Sequence, residues 1–210
     1  MMDTVRSMLL WAVGSFLLGG LMFSQLLPKH MVNRDICLES DDHNPGAVNV
    51  FKICGTSLGL ICLLLDVLKG FLPVYCAKVL FPVSSPLFAM ILVAPVLGHA
   101  VGVFNRFCGG KCIATSFGVL AALVPETGIV LVLGGLYVFF SLFVRTVSMR
   151  ARSRIVFSLF GLFSVVYFLL TAQAPFAIGC GLIAAIAAHR HRKREATIRK
   201  DVSATIIEKS

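Results

Sequence analysis

The sequence predicts an all-α membrane protein with seven transmembrane helices, its N-terminus outside and its C-terminus in the cytoplasm. Three observations carry that expectation. Hydrophobic residues make up 58% of the 210 residues and charged residues only 14%, against about half and about a quarter in soluble domains. Mean hydropathy is +0.91. Apolar runs recur along the whole chain, and its length holds about seven crossings of ~20 residues with short loops. Residues 1–210 therefore read as one integral membrane domain.

The elements follow in order. The first apolar run, 7–27, is too long for a signal-peptide core and has no small-x-small cleavage site, so it reads as a helix. A polar loop, 28–52, leads to a second helix at 53–80, which contains Asp66, Lys69 and Pro73. Pro86 opens the third helix, 86–106. The link NRFCGGK precedes a fourth run, 112–124, which is short for a crossing. Pro125-Glu126 turns the chain into a fifth helix, 127–144. A basic loop, RTVSMRARSR, separates it from a sixth at 155–170, and a link around Gln173 precedes the seventh at 175–188. The tail 189–210 is polar and basic.

If 112–124 crosses, one side of the membrane receives every Lys and Arg except Arg6, Lys69 and Lys78. Such asymmetry marks that side as cytoplasmic. Six helices would scatter the basic loops over both faces. The net charge of +9 thus reads as membrane orientation, not nucleic-acid binding. Seven cysteines include no CxxC pair and lie mostly in apolar runs, so buried thiols are expected rather than disulfides or a metal cluster.

Every polar motif falls on the predicted cytoplasmic side. Gly109-Gly110-Lys111 precedes a helix. Glycines let backbone N–H groups turn toward an anion, the helix N-terminus adds partial positive charge, and the lysine adds a full one. Taken alone, the same tripeptide also makes an ordinary turn with a cytoplasmic lysine. His99, twelve residues earlier, sits near a helix end, where it can bond a carbonyl, bind phosphate or move a proton. Asp66 and Lys69 share a helix face inside an apolar run. They suit a structural ion pair and a polar cavity equally. Asn44-Pro45-Gly46 is a turn signal, and Asn44 and Asn49 flank it with groups that both donate and accept. In the tail, His191 and Arg192 stand at the membrane edge, where they can reach the site or, with the following bases, hold anionic lipid. No Gly-x-Ser-x-Gly elbow, HExxH, Walker loop or HxxxxD motif occurs. Neither a covalent serine route nor a His–Asp acyltransferase route is supported.

In order, NPGAVN, DVLKG, GHAVGVFNRFCGGKCIAT, RTVS and HRHRK resemble the PlsY-type membrane glycerol-3-phosphate acyltransferases of bacteria. The resemblance runs from Gly14 to about Arg199. It implies seven helices and a site at the cytoplasmic face. It implies transfer of an acyl chain from acyl phosphate to glycerol 3-phosphate, giving lysophosphatidic acid, with no metal, no cofactor and no acyl-enzyme. Carried over residue by residue, it implies that Lys111 grips a phosphate with Gly109 and Gly110, and that Asn44 and Asn49 shape the opposite wall. Lys52 stands where the family often has a basic residue. Ser148 would contact glycerol 3-phosphate, His191 would match the C-terminal motif, and Asp66 and Lys69 match the Asp-x-x-Lys-Gly signature. The catalytic set expected is Lys111, His99, His191 and Asn44. The substrate-binding set is Gly109, Gly110, Asn49, Lys52, Ser148, Asp66, Lys69 and Arg192. The implied setting is a monomer in the cell membrane among lipids.

Departures cluster at the expected pocket. The family's usual Gly-Ser-Gly-Asn reads Asp41-Asp42-His43-Asn44, so a carboxylate replaces a hydroxyl at Asp42. Cys37 stands where an arginine is common, Cys112 replaces a glycine, and Arg194 replaces an asparagine. These changes keep two other readings open: an acyltransferase for another polyol phosphate, and a non-enzymatic carrier or lipid- or anion-binding relative.

Overall fold

The computed structural model describes residues 2–144 and 146–208, with side chains through Arg192. Arg145, in the predicted basic loop, and Lys209, in the predicted tail, lie outside the described residues. So do the tail side chains beyond Arg192, including that of Arg194. All secondary structure among the described residues is helical.

The first predicted helix is two. Helix α1 (Met2–Gly20) and helix α2 (Phe23–Met31) meet at a bend of 45°. A bend leaves backbone carbonyls without helical partners. Here the carbonyl of Leu21 accepts from the Lys69 ammonium at 2.5 Å, and Ser24 donates to Asp66 at 2.8 Å. The short helix α3 (Ile36–Glu39) follows, capped by the Asp35 carboxylate. Helix α4 (Ala47–Cys54) grows out of the predicted polar loop, and Gly55, at φ +90°, separates it from the long helix α5 (Thr56–Leu80). Helix α6 (Phe88–Val101) is shorter than 86–106, because Gly102 takes φ +64° and closes it.

Helix α7 (Ile113–Ala121) has nine residues, about 13 Å of rise. Helix α8 (Ile129–Phe143) follows the Pro125 link. Helix α9 (Met149–Leu170) starts six residues before 155, since the Ser148 hydroxyl accepts from the Ala151 N–H and caps it. Helix α10 (Ala174–Glu208) runs through the expected tail. Long basic side chains are good helix formers once a helix is nucleated.

Helices α5 and α9 are long and apolar enough to cross a membrane, and the bent α1–α2 pair makes a third. Helices α6 and α8 are apolar but shorter. Exposed apolar rows such as Leu10, Val13 and Leu17 on α1 and Leu60, Leu64 and Leu68 on α5 suit hydrocarbon. Between lipid-embedded helices apolar burial gives little net drive, so close backbone packing matters more. Gly98 on α6 lies against the Phe16 carbonyl of α1 so closely that any Cβ there would overlap it. The main core joins α1, α5–α10 around Phe88, Phe157, Phe160 and Phe168. A second apolar cluster of Ile36, Ala47, Val50, Leu58 and Cys62 ties α3 and α4 to α5. The polar cleft lies where these two clusters meet.

Candidate active site

A cleft of about 480 Å³ is walled by residues 41–52, the start of α7, the start of α9 and one turn of α10. Its floor includes Asp66 and His99. The segment 102–112 delivers Lys111 to it. After α6 ends, the Phe107 N–H donates to the Gly102 carbonyl at 3.1 Å and the Asn105 side chain to the Cys108 carbonyl at 2.8 Å. The chain then folds back, and the Gly110 N–H donates to the His99 carbonyl at 3.0 Å. A side chain at Gly110 would fall on the His99 imidazole. From α10, Arg190 donates to the carbonyls of Gly109 at 2.6 Å and Gly110 at 3.1 Å.

The Gly-Gly turn is thus committed on both edges: the Gly110 N–H to His99 and both carbonyls to Arg190. Its contribution is to hold the turn in place. The groups that face the cleft are Lys111 itself and the first residues of α7, Ile113 and Ala114. A helix N-terminus beside an ammonium favours an anion.

The opposite wall is built on Ser40, which donates to the Ile36 carbonyl at 2.6 Å and accepts from the Asn44 N–H at 3.2 Å. His43 turns the chain at φ +50°. Asn49, in the first turn of α4, donates to the Asn44 carbonyl and to the Asp42 carboxylate, each at 2.8 Å. The second Asp42 oxygen lies 2.5 Å from the Lys111 ammonium. Asn44 is buried, and its Oδ1 has no hydrogen-bond partner among the described residues. Behind this wall, Cys37 of α3 and Cys108 of the 102–112 segment touch, sulfur to sulfur, at 3.3 Å. The contact with Cys108, together with burial, raises the pKa of the Cys37 thiol.

The cleft brings together Asn44, Asn49, Lys52, Asp66, His99, Lys111, Ser148 and His191. His191 is buried and stacks on Phe157, with ring centroids 6.4 Å apart. Ser148 is exposed, and its hydroxyl caps α9. Gly109 and Gly110 stand behind Lys111. Lys69 is absent from the wall: its ammonium is spent on Asp66, at 2.8 Å, and on Leu21. Arg192 is exposed and also off the wall. Four polar wall residues lie outside the expected set: Asp41, Asp42, Arg150 and Ser153. Arg150 lies two residues beyond Ser148 in the basic loop, a signal open to a closer reading. Arg190 escaped too, since its spacing to the Gly-Gly pair exists only in three dimensions.

The profile of the glycerol-3-phosphate acyltransferase family matches residues 9–201. The chain belongs to that family. Among its relatives, the glycerol-3-phosphate acyltransferase of Desulfotalea psychrophila is 39% identical over 184 residues, covering 85% of this chain and 88% of the relative. Glycerol-3-phosphate acyltransferase 2 of Thermotoga maritima is 36% identical over 124 residues, 59% of this chain, and the match spans 62% of that relative's length. Among solved structures, the crystal structure of PlsY, an integral membrane glycerol 3-phosphate acyltransferase in its glycerol 3-phosphate form, superposes with a TM-score of 0.76. It is 26% identical, with 93% of each chain covered. The lysophosphatidic acid form of PlsY gives a TM-score of 0.72. As a member of this acyltransferase family, the protein is a multi-pass membrane protein with an all-helical fold.

Proposed function

We propose that the protein transfers a fatty acyl chain from acyl phosphate to a hydroxyl of glycerol 3-phosphate, giving lysophosphatidic acid. The observation that carries this reading is the convergence of Lys111, Asn44, Asn49, His99 and His191 on one cleft in a chain of this family. Both substrates carry a phosphate, and the cleft offers an ammonium beside a helix N-terminus. The hydroxyl oxygen attacks the acyl carbon, the bond from that carbon to the phosphate oxygen breaks, and the hydroxyl proton leaves with the phosphate. The donor is already activated, so orientation and charge neutralisation suffice, without an acyl-enzyme. Lys111 holds phosphate; Asn44 and Asn49 orient the acceptor; His99 and His191 shape the floor where the proton moves. Lys52, Ser148 and Arg150 receive the substrates at the cleft edge, and Arg192, off the wall, adds positive charge nearby. Asp66 acts from the floor, held by Lys69.

The same reading takes the chain as a single domain with seven crossings, the N-terminus outside and the cleft open to the cytoplasm. Its support is that the cleft walls come from the segments that carry the basic loops. The same reading takes the protein as a monomer.

The test is reconstitution in lipid with palmitoyl phosphate and glycerol 3-phosphate, following phosphate release and lysophosphatidic acid by mass spectrometry. Wild-type protein is expected to form product, and Lys111→Ala to fall at least about 100-fold in rate with its fold intact. Near-normal rates in Lys111→Ala would remove the phosphate role. One observation favours a second reading, an anion-binding relative without turnover: the Asp42 carboxylate rests on Lys111. Well-folded wild-type protein that forms no product, from this or other polyol phosphates, would support it.

A further inference from the structure

Asp42 stands where an anionic substrate would be expected. One carboxylate oxygen meets the Lys111 ammonium at 2.5 Å and the other accepts from the Asn49 amide at 2.8 Å. Both partners line the cleft, and so does Asp42 itself. The side chains of Lys111 and Asp42 are only 19% and 11% exposed. An ion pair so sheltered is weakly screened by salt. A phosphate entering the cleft offers the same chemistry as the carboxylate: anionic oxygens for an ammonium and for an amide N–H. Carboxylate and phosphate cannot share Lys111 without mutual repulsion.

We propose that the Asp42 carboxylate is an internal stand-in for the substrate phosphate, and that it must leave Lys111 and Asn49 before a phosphorylated substrate can bind. Asp42 sits on the turn closed by His43 at φ +50°, between Ser40 and Asn44. Rotation of its side chain withdraws the carboxylate from Lys111. Until then the carboxylate keeps the ammonium neutralised and sets the affinity that any phosphate must exceed. Asp42 is thereby an affinity-determining residue of the cleft, not a proton acceptor.

The inference rests on reading Lys111 as the phosphate ligand, and its test uses binding, not turnover. Inorganic phosphate and glycerol 3-phosphate are titrated calorimetrically into the full chain in lipid nanodiscs, comparing wild type, Asp42→Asn and Lys111→Ala. Asp42→Asn keeps an oxygen for Asn49 but removes the charge. It should bind both ligands about tenfold more tightly than wild type, and phosphate should raise its melting temperature more than that of the wild type. Lys111→Ala should lose binding. Equal or weaker binding by Asp42→Asn overturns the proposal.

Should Asp42→Asn fail to fold, wild-type protein labelled with ¹³C-aspartate serves instead. Saturating phosphate should shift the carboxylate stretch of one aspartate in the infrared difference spectrum, and an unchanged spectrum overturns the proposal. Tighter phosphate binding by Asp42→Asn in a protein without turnover would sink the acyltransferase reading and leave this one standing. Turnover with no gain in affinity would do the reverse.

Discussion

The Asn44 side-chain oxygen is buried in the cleft wall with no donor among the described residues. An unsatisfied buried acceptor costs about 1–3 kcal/mol. A polyol hydroxyl entering the cleft would donate to it. Asn44→Ala therefore separates the structural from the functional role. Its melting temperature should hold or rise, because only the orphan group is lost, while kcat/KM for the acceptor falls about 30-fold or more. A destabilised variant with normal kinetics would make Asn44 a packing residue. Asp35 gives a pH prediction. Burial pushes its pKa up, but the hydrogen bond from Gln25, the amides of Leu38 and Cys37 and the charge of Lys29 outweigh that, leaving it below the ordinary 3.8. A depressed carboxylate contributes stability that is fully present above its unfolded value and is lost as pH falls through the folded value. Hydrogen exchange at α3 should therefore quicken below about pH 4, and Asp35→Asn should abolish that dependence.

At the scale of elements, the Asp66–Lys69 ion pair is also a structural tie. It joins α5 to the bend between α1 and α2, through Leu21 and Ser24. Asp66→Asn or Lys69→Met alone should each cost about 3–5 kcal/mol by leaving one charge buried and unpaired. The double substitution should recover most of that, as a double-mutant cycle on unfolding would read. Gly19-Gly20 is a local signal for this bend, but the partner that satisfies Leu21 lies 48 residues away and was not legible in the sequence. The ends of α6 and α9 were closer to reach: Gly102 and Ser148 are local signals that a turn-by-turn reading can weigh. The cleft was legible to the extent that its chemistry is local, as in Asn44-Pro45-Gly46 and Gly109-Gly110-Lys111. What escaped, Asp42 on Lys111 and Arg190 on the Gly-Gly turn, depends on contacts across 69 to 81 residues.

For the whole molecule, the prediction concerns orientation. The Lys78–Glu126 pair, at 2.6 Å, ties the last turn of α5 to the link before α8, on the side that the proposed topology puts outside. A cysteine at Ser84 in an otherwise cysteine-free chain should react with a membrane-impermeant maleimide in intact cells. One at Ser203 should react only after lysis. The opposite pattern would invert the topology.

Arg190 has a consequence for how the protein is made. The turn that presents Lys111 is gripped by a side chain 80 positions after Gly110, which is synthesised well after the turn itself. Until α10 is inserted, the nascent chain has Lys111 but not the clasp that aims it. The clasp therefore closes only once α10 has reached the turn, and a polypeptide released before that point would lack it.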